Sequence, residues 1–167
     1  MKPIPSGPPS FESEVRALNL EHFLPFRLSV LANRVTRAVA RVYTRRFELS
    51  APEWRTMAVL GRYGAMTANS VVERTAMDKV RVSRAVARLL ARERVTRRTD
   101  PDDRRRAILD LTPEGRAVYA MVVPMVMAVE SELLSGLSAE ERTLLDQVLR
   151  KLEERTAGDF AGGEDEI

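Results

Sequence analysis

Apolar residues recur at intervals of three and four along most of the chain. From Glu21 to about Phe47, Leu28, Leu31, Val35, Ala38 and Val42 form a single stripe, widened by Val39, Tyr43 and Phe47. That spacing predicts a long helix. Pro25 is tolerated only in a first helical turn, so the regular helix is expected to start near it. Ser50 stands where an N-cap belongs, with Pro52 and Glu53 in the first turn of a helix that reaches Arg62 and closes at Tyr63-Gly64. Thr67 starts a short helix carrying Val71 and Val72 and ending near Ala76. Asp78 caps the next one, whose Val82, Val86, Leu89 and Leu90 share a face. Two short helices, a tight connection and a following basic helix make a helix-turn-helix pattern.

The period then changes. Val95–Arg98 and Arg106–Leu111 flank "TDPDD", which is strong turn chemistry, and predict a two-stranded ribbon, a wing. Thr112-Pro113-Glu114 opens a long helix with Thr as N-cap and Pro at the first helical position; Pro124 is expected to kink it. A capping box from Ser138 to Glu141 starts a last helix with a stripe of Leu144, Leu145, Val148, Leu149 and Leu152. The fold class is therefore mainly α with a small β-wing. The outer helices carry more apolar surface than one small winged domain covers, which points to a homodimer built through the terminal helices.

Composition narrows the function. A chain of 167 residues, 44% hydrophobic and 31% charged, suits one soluble globular domain. Residues 1–18 hold four of the nine prolines and are expected to form a disordered arm; residues 157–167 are Gly-rich and acidic and are expected to form a flexible tail. The absence of cysteine excludes disulfides, thiol catalysis and Cys-based zinc sites. A lone histidine is a poor basis for a metal site, and no glycine-rich phosphate loop or Ser-His-acid arrangement stands out, so no cofactor and no enzymatic activity are expected. No apolar run is expected to approach the length of a membrane span, and the N-terminus lacks a signal-peptide core; the expectation is a cytoplasmic protein without a membrane role.

Charge is unevenly placed. Between Lys79 and Arg106 eleven basic residues face four acidic ones, a net +7, so the rest sums to −4 within the overall +3. Such an island suits a polyphosphate partner. On the basic helix, Lys79, Arg81, Arg84 and Arg88, with Ser83 beside them, lie opposite the apolar face. In a major groove these residue types read bases and phosphates. A solvated basic face reads equally well from this helix alone. In the wing, Asp103 and Arg105 are two apart and share one side of a strand, where the carboxylate can hold the guanidinium in a rotamer suited to a minor groove. Taken alone, DPDDRRR is a turn kept soluble by charge.

"DRRRAILDLTPEG", Asp103 to Gly115, resembles the wing signature of MarR-family transcriptional regulators. "MDKVRVSRAVARLLARERV" is similar to that family's recognition helix and "LSAPEWRTMAVL" to its second helix. The resemblance runs from about Phe23 to Glu154. It implies a winged helix-turn-helix homodimer on a pseudo-palindromic double-stranded DNA operator, usually as a repressor. Residues 19–156 are then a single MarR-like domain, with a DNA-binding lobe at about 50–112 and dimerisation helices at about 21–47 and 113–155. By matching position, Asp103 and Arg105 take the wing-tip roles and Ser83 and Arg84 the recognition-helix contacts; Arg104, like Arg97, Arg98 and Arg106, suits a phosphate contact or simple solvation. The resemblance further implies a small aromatic or phenolic acid as ligand, in a crevice that would involve His22, Phe26, Arg27 and Trp54. The alternative is a winged protein-interaction module without specific operator binding. One departure stands out: Glu93-Arg94 replaces the family's usual glycine and apolar residue where the recognition helix meets the strand. Glycine there supplies a left-handed cap cheaply.

Overall fold

The computed structural model describes residues 18–100, 103 and 106–159, the last three in backbone only. The expected arm up to residue 17, the tail from residue 160, Arg104 and Arg105 lie outside the described residues. The elements are α1 (Leu24–Phe47), α2 (Ala51–Tyr63), β1 (Met66–Thr67), α3 (Ala68–Thr75), α4 (Lys79–Ala91), β2 (Val95–Thr99), β3 (Ala107–Leu111), α5 (Pro113–Leu134) and α6 (Ala139–Asp159). Two compact units meet within α1, between Arg37 and Ala38.

The helix starts follow the capping residues. Ser50 and Glu53 form a capping box on α2: the Ser50 N–H donates to Glu53 Oε2 at 2.6 Å and the Glu53 N–H to Ser50 Oγ at 3.4 Å. Thr67, Asp78 and Thr112 each accept a backbone N–H three residues on, which satisfies a donor left over by helix geometry. The Ser138–Glu141 pair caps α6 in the same reciprocal way.

The sheet differs from the expected two-stranded ribbon. It has three antiparallel strands in the order β1-β3-β2. β1 pairs Met66 with Leu109 and Thr67 with Ile108, so Thr67 serves both as a sheet residue and as the cap of α3. Two residues are too few to show a period of two, which is why this strand leaves no trace in the pattern. Val95–Leu111 through Thr99–Ala107 form the β2–β3 ladder.

The core lies in the second unit. Tyr43 and Phe47 from the end of α1, Met57 and Leu60 from α2, Leu89 from α4, Leu109 from β3, and Val118 and Val122 from α5 are all buried. Trp54 sits between two tyrosines, 5.6 Å from Tyr43 and 5.9 Å from Tyr119 by ring centroids. Burial pushes the Tyr43 hydroxyl above its ordinary range, against an opposing pull from the Arg55 guanidinium, so this aromatic group stays neutral.

By length and composition alone α5 is long and apolar enough to cross a membrane, a test that the core helix of a soluble protein also passes. Glu114, Arg116, Glu130 and Glu132 interrupt the run at its two ends and leave a long apolar middle between them. Only part of that middle enters the core: Val118 and Val122 are buried, whereas Met121 and Met127 are 44% and 59% exposed.

The exit of α4 sets the entry to the wing. Glu93 is left-handed, with φ 53°. Its N–H donates to Leu90 O at 3.0 Å and that of Arg94 to Leu89 O at 2.9 Å, a Schellman cap with glutamate where glycine is usual. The next contacts bind this cap to α5. Thr112 N–H donates to Arg94 O at 3.1 Å, and Thr112 Oγ1 donates to Glu93 O at 2.6 Å. A Cβ on Gly115 would stand 1.9 Å from Arg94 O. Two outcomes follow for denaturant unfolding. Glu93→Gly should raise stability by about 1 kcal/mol by removing left-handed strain. Gly115→Ala should lower it by about 3 kcal/mol, because backbone has to move; an unchanged midpoint for that variant would contradict the close approach.

Candidate nucleic-acid interface

Helix α4 has one locked face and one open face. Asp78 Oδ1 accepts the Arg81 N–H at 2.7 Å and fixes the start. Val82, Ala85, Val86 and Leu89 are buried, which fixes the rotation of the helix about its axis. Lys79, Arg81, Ser83, Arg84 and Arg88 are all exposed on the remaining face, as the sequence pattern requires. Arg81, Arg84 and Arg88 are three and four apart and so form one row of guanidiniums along the helix. Arg81 Nε also lies 3.0 Å from Asp78 Oδ2 with both side chains largely exposed, an ion pair worth little in energy but able to hold the arginine toward the helix start.

The wing adds further basic groups. Arg97 and Arg98 are exposed on β2, opposite Leu109 and Ile108 of β3. The turn is closed by the Asp100 N–H on Arg106 O and the Arg106 N–H on Asp103 O, both at 2.9 Å. Asp103 is half-buried in that turn. Arg104 and Arg105 are outside the described residues, so the expected Asp103–Arg105 pair at the wing tip is outside them as well. At the wing base, Arg116 Nη2 donates to Asp110 Oδ1 at 2.7 Å and joins β3 to α5.

Two features escape sequence reasoning. Val80, in the first turn of α4, is 57% exposed and shares the open side with the basic residues. Counted as apolar it looks like core, and only the helix rotation shows otherwise. A cavity of about 290 Å³ also lies between α3, α4 and the sheet. Val72, Val86 and Leu109 give it apolar walls, Asn69 and Ser83 line it with polar groups, and Lys79 and Arg97 supply positive charge.

The residues named for a ligand are distributed over both units. His22, Phe26 and Arg27 belong to the first and are exposed there; His22 Nδ1 lies 3.1 Å from Asn19 Oδ1. Trp54 belongs to the second and is buried in its core. Among the described residues no cluster of three or more His, Cys, Asp or Glu is arranged to hold a metal ion.

Known proteins share this arrangement. A family model described as the MarR family matches residues 47–106. The HTH-type transcriptional repressor NicR of Pseudomonas putida is 30% identical over 63% of this chain and 66% of its own length. The transcriptional regulator HosA of Escherichia coli O111:H- is 30% identical over 63% of this chain and 78% of its own. The solved structure of BpsR from Bordetella bronchiseptica, whose DNA binding is regulated by 6-hydroxynicotinic acid, is 28% identical, with a TM-score of 0.65 over 76% of this chain and 98% of that one. A helix-turn-helix with a rigid basic helix, a wing and relatives of this kind lead to one assignment: the chain belongs to the MarR family of transcriptional regulators.

Proposed function

We propose that this protein is a sequence-specific DNA-binding repressor that acts as a homodimer and is released from a pseudo-palindromic operator by a small aromatic or phenolic acid. The observation that carries the DNA reading is α4: its inner face is locked in the core, and its outer face holds Lys79, Arg81, Ser83, Arg84 and Arg88 in the open. A helix held in that way can enter a major groove with a defined register. Arg84 and Ser83 then face base edges, Lys79 and Arg88 face phosphates, and Val80 suits a thymine methyl. In the wing, Asp103 orients Arg105 toward the minor groove, with Arg104 on the backbone. The work is cytoplasmic and needs no catalytic residue.

Apolar surface supports the dimer. Leu28 and Leu31 on α1, Met127 and Leu133 on α5, and Leu144 and Val148 on α6 are each at least 40% exposed in the single chain. Exposed large apolar residues on helices of this kind mark partner sites, and two-fold pairing of subunits matches two half-sites one helical turn apart.

Ligand release is supported by relatives, since BpsR responds to 6-hydroxynicotinic acid. Two places suit an aromatic acid in this chain. One is the apolar hollow on the first unit that Phe26 and Arg27 line. The other is the cavity behind α4, where Lys79 and Arg97 would pair with the carboxylate.

Binding assays over a salt series test the DNA reading. Arg84→Ala should cost about 1–3 kcal/mol on the operator and relax specificity at one base position, whereas Arg88→Ala should weaken all sequences alike and reduce the salt slope by about one. Equal affinity of the wild type for its own promoter region and for random DNA would sink the repressor reading. For the ligand, 6-hydroxynicotinic acid should raise the melting temperature by mass action. Loss of that shift in Arg27→Ala places the acid in the hollow of the first unit, and loss in Arg97→Ala places it behind α4. A shift that survives both substitutions excludes both sites.

A further inference from the structure

The end of α1 is held by two side chains from the exit of α4. Arg94 Nη1 donates to Phe47 O at 2.5 Å. Arg92 Nη1 donates to Glu48 O, and its Nη2 lies 3.8 Å from Glu48 Oε2. Phe47 is the last residue of α1 and Glu48 is left-handed at φ 51°. The last carbonyls of a helix have no partner within it and carry partial negative charge, so a guanidinium docked there satisfies both needs. Arg94 is half-buried, which strengthens the contact relative to a surface pair.

Backbone and side chain of Arg94 do separate things. Its N–H donates to Leu89 O in α4 and its C=O accepts from Thr112 at the start of α5. Any residue but proline would make those bonds. Only the side chain reaches α1, 47 residues away in sequence. The next residue, Val95, is the first of β2.

We infer that Arg94 is a positioning residue: its guanidinium ties the C-terminus of α1 to the junction of recognition helix and wing, and so sets the angle at which α4 and β2 are jointly presented to DNA. The inference rests on the DNA-binding reading above for its functional consequence, but the tie itself does not depend on it. Arg92 acts as the outer half of the same clasp.

The test compares wild type with Arg94→Leu, which keeps an apolar stem and removes the fork. Hydrogen exchange of the full chain without DNA should speed up about tenfold at the β2 amides of Thr96–Thr99, while the α2 core amides of Met57 and Leu60 exchange as in wild type, so that local release is separated from global unfolding. Wing amides that exchange at the wild-type rate overturn the tie. In the DNA arm, the ratio of operator to random-DNA affinity should fall about tenfold in Arg94→Leu. A ratio equal to wild type, together with faster wing exchange, overturns the positioning role alone. A wild type without operator preference defeats the DNA reading, and the exchange arm still decides the tie. Arg94→Gln, too short to reach Phe47 O, carries both comparisons should Arg94→Leu fail to fold.

Discussion

The backbone of Glu93 and Arg94 is where α4, the wing and α5 are knotted together. Four hydrogen bonds converge on it: two inward to the carbonyls of Leu89 and Leu90, and two from Thr112. The recognition helix therefore ends, the wing strand begins and α5 begins at one junction. Gly115 belongs to the same constraint, since its missing Cβ is the space that Arg94 O occupies. The "LTPEG" segment thus has a physical meaning residue by residue. Thr112 caps α5 and bonds back to the junction, Pro113 starts the helix without a wasted donor, and Gly115 permits the approach.

That junction explains why a strained residue is tolerated. Left-handed glutamate costs on the order of 1 kcal/mol, and the cap bonds around it offset more than that. Arg94 in turn uses a side chain that an apolar residue would lack, and reaches the carbonyl of Phe47. The two departures from the usual family pattern are neighbours in sequence and parts of one arrangement in space.

Electrostatics and packing divide the molecule by face. Of the basic residues between Lys79 and Arg106, Lys79, Arg81, Arg84 and Arg88 on α4 and Arg97 and Arg98 on β2 stand in the open, while the inner face of the same helix holds Val82, Val86 and Leu89. On the outer helices the apolar stripes remain partly exposed. Tyr43 and Phe47 at the end of α1 are buried, yet Leu28 and Leu31 nearer its start are not. One continuous helix thus serves the core at one end and offers apolar surface at the other, and the boundary between the compact units falls between them.

Local chemistry alone determined most of the element list. Ser50, Thr67, Asp78, Thr112 and Ser138 start helices where their hydroxyls or carboxylates can satisfy free donors, and the three-and-four spacing of Val82, Val86 and Leu89 fixes which face of α4 is outward. The open basic face of α4 was legible for that reason, since a helix rotates its polar residues outward once its apolar ones are chosen. Tertiary structure decided the rest. A two-residue strand at Met66–Thr67 exists only because β3 passes beside it. The exposure of Val80 depends on the rotation of α4 against α2 and α3, and the cavity at Asn69, Ser83 and Arg97 exists only where three elements meet. The conformation of Glu93 was an open question in sequence, because a glutamate adopts the left-handed state only when distant partners hold it. The reach of Arg94 to Phe47 leaves no periodic signal either, since contacts between residues 47 apart are made by the fold and not by the local pattern.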